Sequence, residues 1–125
     1  MLRLMVVDDQ EIVRTGLRHV FETEPGITVV GEAADGREAL SLIPEVRPDV
    51  VVMDIAMPGL DGIVTTAELT RTAPEISVVV LTLHDDDDTR ARAMAAGAVA
   101  FVAKHQMGPA LLAAVRQVAG RHDER

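Results

Sequence analysis

The side chains able to do chemistry stand at the ends of apolar runs. Leu4-Met5-Val6-Val7 leads straight into Asp8 and Asp9, and Val50-Val51-Val52-Met53 ends at Asp54. Thr82 stands near the end of the run from Ile76 to Leu83, and Lys104 follows residues 99–103. Three carboxylates brought to one place repel one another, so either one keeps a proton or a cation neutralises them. Oxygen-only ligands select a hard cation, and Mg²⁺ is the abundant one that retains several of its waters. A carboxylate beside such a cation, a hydroxyl and an ammonium is a chemically reasonable acceptor for a phosphoryl group. Phosphoryl transfer needs chiefly positioning and neutralisation of the phosphoryl oxygens. Lysine serves there as a compact point charge, and Lys104 is the only lysine beside eleven arginines.

Those residues meet only if the elements between them bring the run ends to one edge. Residues 10–23 carry Ile12, Val13, Leu17, Val20 and Phe21 at helical spacing, and Pro25-Gly26 breaks the pattern. A β-branched run covers 27–30. Asp35 caps a helix over about 36–46, with Ala39, Leu40, Ile43 and Val46 on its inner face. After the run ending at Asp54, Pro58-Gly59 and Asp61-Gly62 mark a tight loop, and a helix spans 62–73. The acidic stretch Asp85 to Asp88 starts the next helix, where the macrodipole favours negative charge, and Gly97 suits its end. Gly108-Pro109 opens the last helix, lined by Leu111, Leu112, Val115, Val118 and Ala119. Five strands alternating with five helices make an α/β fold with a parallel sheet and right-handed crossovers. In such a sheet, sites form beyond the carboxyl ends of the strands.

Composition bounds the alternatives. The chain has 125 residues, one domain's worth, and 48% are hydrophobic, which argues against disorder. It has no cysteine, so disulfides, thiolate zinc sites and cysteine nucleophiles are excluded. A net charge of −8 argues against nucleic acid being held by this domain's own electrostatics. No apolar stretch approaches a membrane span, and Met1 to Val7 is too short and too soon charged for a signal peptide, so a cytoplasmic location is expected.

The motifs VVDD ending at Asp8-Asp9, MDIAMPGLDG from Met53 to Gly62, LTLHDD from Leu81 to Asp86 and AGAVAFVAK from Ala96 to Lys104 resemble the receiver domain of two-component response regulators. The resemblance covers residues 3–120, and the LTLHDD wording with the LLAAVRQVA-like last helix is most similar to the NarL/FixJ-like (LuxR-type) subfamily. It implies a flavodoxin-like (βα)5 fold, doubly wound, with a five-stranded parallel sheet in the order 2-1-3-4-5. It implies that Asp54 accepts a phosphoryl group from a histidine kinase. Asp9 and Asp54 would bind Mg²⁺ directly, Asp8 through a water, and the Ala56 backbone carbonyl would add a ligand. Thr82 and Lys104 would each meet a phosphoryl oxygen, and Phe101 would be the switch aromatic partnering Thr82. Residues 1–120 are then the receiver and 121–125 a polar tail or the start of a linker. The domain would be a signalling phosphoacceptor that takes part in its own phosphorylation and dephosphorylation, not an enzyme. Its output would be transcriptional, with DNA bound only through an output domain absent from this chain and a homodimer on phosphorylation as a compatible partner.

Several positions narrow or depart from that pattern. His105 stands where many receivers have a cis proline, and a trans bond is expected here because a cis bond to a non-proline costs roughly 3–4 kcal/mol. Leu83 is bulky enough to narrow access to Asp54, and His84 is placed at the pocket rim. The helix around 90–96 offers mostly alanine plus Met94, so it is expected to be the mobile element. A haloacid-dehalogenase-type phosphatase needs a second acid two residues after the acceptor, where Ala56 stands. A flavin-phosphate binder needs a Ser/Thr/Gly-rich loop after the first strand, where Asp8-Asp9-Gln10-Glu11 would repel phosphate. A receiver used only for docking is the remaining rival.

Overall fold

Successive side chains of the buried strands point to opposite faces of the sheet, and that alternation builds two cores. In the computed structural model, which describes residues 1–55, 61–83, 86–106 and 108–123, β1 (Leu2–Val7) sends Leu4 and Val6 to one face and Met5 and Val7 to the other. The same division holds in β3 (Val50–Asp54) for Val50 and Val52 against Val51 and Met53. It holds again in β4 (Ser77–Thr82) for Val79 and Leu81 against Val78 and Val80. Strands apolar on both sides need helices on both sides. The first face is covered by Leu17 and Phe21 of α1 (Glu11–Glu22) and by Leu111, Val115 and Val118 of α5 (Pro109–Asp123). The second is covered by Ala39 and Ile43 of α2 (Gly36–Val46), Leu69 of α3 (Gly62–Thr72) and Ala93 of α4 (Asp87–Ala95).

With β2 (Ile27–Ala33) and β5 (Ala100–Ala103), the strands form one parallel sheet in the order 2-1-3-4-5, the doubly wound flavodoxin-like arrangement. Element spans agree closely with the sequence pattern. β2 is longer than its apolar run, continuing through Gly31 and Glu32, with a register shift between Leu4 and Met5. Ile12 is the one misplaced helix residue: it is 83% exposed, because it lies five residues before Leu17, about 140° away around the helix. Lys104 to Gln106 form one turn of 3₁₀ helix, and among the described residues no peptide bond is cis, as expected for His105. No helix among the described residues is long and apolar enough to cross a membrane.

α4 is held lightly. Ala93 is its one buried residue, and Met94 is 45% exposed. Its start is capped by Asp86, which accepts from the Thr89 N–H at 2.7 Å. Its end is tied to α3 by Thr70, whose hydroxyl donates to the Ala96 carbonyl at 2.7 Å. Gly97 then takes φ +109°, and a side chain there would run into that hydroxyl.

α3 starts directly against the end of β3. Asp61 caps it, accepting from Val64 N–H at 2.8 Å, and Gly62 packs so close that an added Cβ would lie 2.2 Å from the Asp54 carbonyl oxygen and 2.5 Å from Ile55 Cα. Gly62→Ala must therefore push α3 away from the backbone of Asp54. Urea denaturation is expected to show a loss of about 1–3 kcal/mol, as for overpacking elsewhere.

Candidate functional site

Sheet register brings the chemical residues level. Val7 pairs with Met53, so Asp8 and Asp54 are the next residues on neighbouring strands. Asp54 pairs with Leu81, which places Thr82 one residue beyond, and the Ile55 N–H donates to the Leu81 carbonyl at 3.3 Å. Thr82 pairs with Ala103, so Lys104 follows at the same edge. Asp8, Asp54 and Thr82 are buried, and the Lys104 side chain is 11% exposed.

Lys104 Nζ lies 3.1 Å from Asp8 Oδ2 and 3.4 Å from Asp54 Oδ2, bridging the two buried carboxylates. Burial alone would lower its pKa. The contact with Asp8 and the charges of Asp54 and Asp8 outweigh this, holding it above the usual lysine value, so the ammonium is charged at neutral pH. Asp9 is exposed beside this pair, and single carboxylate oxygens of Asp8, Asp9 and Asp54 lie within 4.8 Å of one another. One ammonium among three carboxylates leaves the pocket with excess negative charge. Among the described residues, Asp8 Oδ2 is buried without a well-aligned hydrogen bond and meets Lys104 as an ion pair. An all-oxygen acidic set with an under-satisfied buried oxygen fits a hard divalent cation.

The remaining sequence-derived positions fall as follows. Phe101 is partly buried on the α4 side of β5, with the Arg90 guanidinium 4.7 Å from its ring centroid. Leu83 is 69% exposed and points to solvent instead of closing over Asp54. His105 is exposed. Ala56 and His84 lie outside the described residues.

The sequence pattern offered no role for the end of β2, and there the structure adds a cluster. Glu32 accepts from Arg14 Nε at 3.0 Å and from Arg18 Nη1, and Arg14 Nη1 donates to the Asp8 carbonyl at 2.8 Å. Burial pushes the Glu32 carboxyl up, but the hydrogen bonds from Arg14 and Arg18 and their charges prevail and leave it below the usual glutamate value. The available signal was an acid closing a β-branched run, with two arginines four residues apart on the adjacent helix.

Residues 4–116 match the response regulator receiver domain family, and the chain belongs to it. Receiver domains of this kind are signalling domains. Among its relatives, the response regulator GacA of Pseudomonas aeruginosa is 41% identical over 118 residues, covering 94% of this chain and 55% of that protein. The chain thus spans about half the length of the curated relatives it matches. A LuxR-family two-component response regulator from an Aurantimonas species shares 38% identity at a TM-score of 0.87, over 94% of this chain and 85% of that one. The signal receiver domain of the response regulator NarL from Mycobacterium tuberculosis shares 31% at 0.82, over 92% and 96%. These likenesses put the chain with NarL/FixJ-like receivers.

Lys104→Met leaves Asp8 and Asp54 buried together without their shared counter-charge. In metal-free buffer at pH 7, urea denaturation is expected to show a loss of about 3 kcal/mol, near the lower end for a broken buried pair because Lys104 reaches the solvent rim.

Proposed function

We propose that this domain is the phosphoacceptor of a two-component system, with Asp54 receiving a phosphoryl group from a histidine kinase and the resulting change of conformation controlling a transcriptional output. The observation that carries the reading is the single ammonium of Lys104 bridging Asp8 and Asp54 at the carboxyl edge of the sheet. Asp8, Asp9 and Asp54 are the residues that would hold Mg²⁺, with the Ala56 carbonyl as a further ligand. Bound there, the cation would neutralise charge on the incoming phosphoryl oxygens.

In the transfer, an Asp54 carboxylate oxygen forms a bond to phosphorus while the donor's bond to phosphorus breaks, the donor leaving with that electron pair. Burial keeps Asp54 away from bulk water. Lys104, already 3.4 Å from Asp54, needs only a short movement to pair with a phosphoryl oxygen. Thr82, one residue past the partner of Asp54 in β4, offers its hydroxyl to another. The same residues would take part in hydrolysis of the phosphoryl group.

Phosphorylation changes the population of conformations only as far as the two conformations differ in their interactions with the new group. Drawing Thr82 towards Asp54 opens space for Phe101, whose ring now lies under Arg90 of α4. The light anchoring of α4 supports its assignment as the element that moves, and α4, β5 and α5 as the output face. Ile12, exposed on α1 close after Asp8 and Asp9, supports a partner surface beside the pocket, suited to the kinase. Relatives about twice this length support DNA binding through a separate output domain. We place the domain in the cytoplasm, its boundary at 120 with 121–125 leading towards a linker, and assign it the capacity to form a homodimer when phosphorylated.

Incubation with Mg²⁺ and acetyl phosphate, followed by mass spectrometry, tests the chemistry. An acid-stable, alkali-labile phosphoryl adduct is expected, dependent on Mg²⁺ and absent from Asp54→Asn. An adduct that survives Asp54→Asn, or none on the unaltered chain, overturns the reading.

A further inference from the structure

We propose that Arg14 is a positioning residue for the cation site, aiming the Asp8–Asp9 turn through the backbone, with Glu32 as the anchor that keeps its guanidinium on that task; this rests on the reading of the acidic pocket as a divalent-cation site. The Asp8 carbonyl and the Asp9 N–H belong to one planar peptide unit. Holding that carbonyl therefore sets the direction in which the chain, and with it the exposed Asp9 carboxylate, leaves the sheet. Arg14 Nη1 holds it at 2.8 Å. The rest of Asp8 is pinned by its N–H donating to the Ala33 carbonyl at 3.1 Å and by Oδ1 accepting the Gln10 N–H at 2.9 Å. Asp9 has no such brace of its own among the hydrogen bonds of the described residues.

The guanidinium suits this role because its planar fork can meet two acceptors at once. Nε donates to Glu32 Oε1 at 3.0 Å while Nη1 reaches the Asp8 carbonyl, and the side chain is only 16% exposed. Glu32 is itself held from the other side by Arg18. This arrangement ties α1, the end of β2 and the turn after β1 together. It also occupies the Arg14 charge with a carboxylate outside the pocket. A guanidinium without that partner would be drawn to Asp8 and Asp9, where it would compete with the cation. Partners that orient metal ligands without touching the metal commonly set affinity by about tenfold or more.

The test compares the unaltered chain, Arg14→Gln and Arg18→Gln by calorimetric titration with MgCl₂ and with MnCl₂. Hydrogen exchange of the Gln10 amide is read in metal-free buffer alongside. Arg14→Gln is expected to raise the cation dissociation constant about tenfold and to speed Gln10 exchange. Arg18→Gln, which keeps both Arg14 contacts and only loosens Glu32, is expected to shift both readouts much less than Arg14→Gln. Arg14→Lys serves if Arg14→Gln does not fold: it keeps the charge but lacks the fork, so weakened cation binding is again expected. Equal affinity in the unaltered chain and the Arg14 variants overturns the proposal, as does equal weakening by Arg14→Gln and Arg18→Gln. Failure of the unaltered chain to bind either cation overturns the cation-site reading, and the proposal falls with it.

Discussion

Two carboxylates closed off from water cannot both carry charge at the edge of a sheet without a cation between them. Asp8 and Asp54 share that edge because β1 and β3 are neighbours in register, and Lys104 supplies the cation from the far end of β5. The fold can be understood as the means of meeting this constraint. A parallel sheet puts all its carboxyl ends on one side, and the order 2-1-3-4-5 sets β1 beside β3 at the topological switch point. Apolar side chains on both faces of β1, β3 and β4 then hold the carboxylates in place with packing energy unrelated to their charge.

The balance at that edge is incomplete by design of the residues present: three acids face one ammonium. A fully neutralised cluster would gain little from a cation or a phosphoryl group; on the proposed reading, this one would gain from the first and reorganise around the second. The elements next to Lys104 are the less firmly held ones. β5 is short and its Phe101 only partly buried, while α4 rests on Ala93 and the Thr70–Ala96 hydrogen bond. On the opposite side the structure is braced: Arg14 and Arg18 converge on Glu32, and α1 sits on a deep core of Leu17 and Phe21. One flank of the pocket is therefore stiff and the other lightly held, an asymmetry suited to directing a response towards α4 and β5. By linkage, a partner that prefers the responding conformation would in return favour the modified form of Asp54.

Much of this was legible in the residues. Apolar runs that end abruptly at Asp8 and Asp54 declare buried parallel strands and, by the rule for such sheets, a common edge. The rarity of lysine in an arginine-rich chain marks Lys104 in the sequence alone. What stayed hidden depended on side-chain direction. Ile12 fits a helical apolar pattern but sits on the wrong side of the turn. Leu83 has the bulk to screen Asp54 yet points to solvent. Glu32 is illegible in the sequence because an acid at a strand end has no meaning until the helix across from it presents Arg14 and Arg18 together. The path from Glu32 through Arg14 to the Asp8 carbonyl ends on a backbone atom, and no side-chain motif encodes a contact of that kind.

On this reading Lys104 holds Asp8 and Asp54 in a resting arrangement, from which it transfers to a group on Asp54. A crystal structure grown with MgCl₂ and beryllofluoride, a mimic of the phosphoryl group, tests this most directly. The fluoride adduct is expected on Asp54, with Lys104 Nζ moved off Asp8 to pair with it. Lys104 still bridging Asp8 and Asp54 at 3.1 and 3.4 Å, with no adduct on Asp54, would contradict this reading.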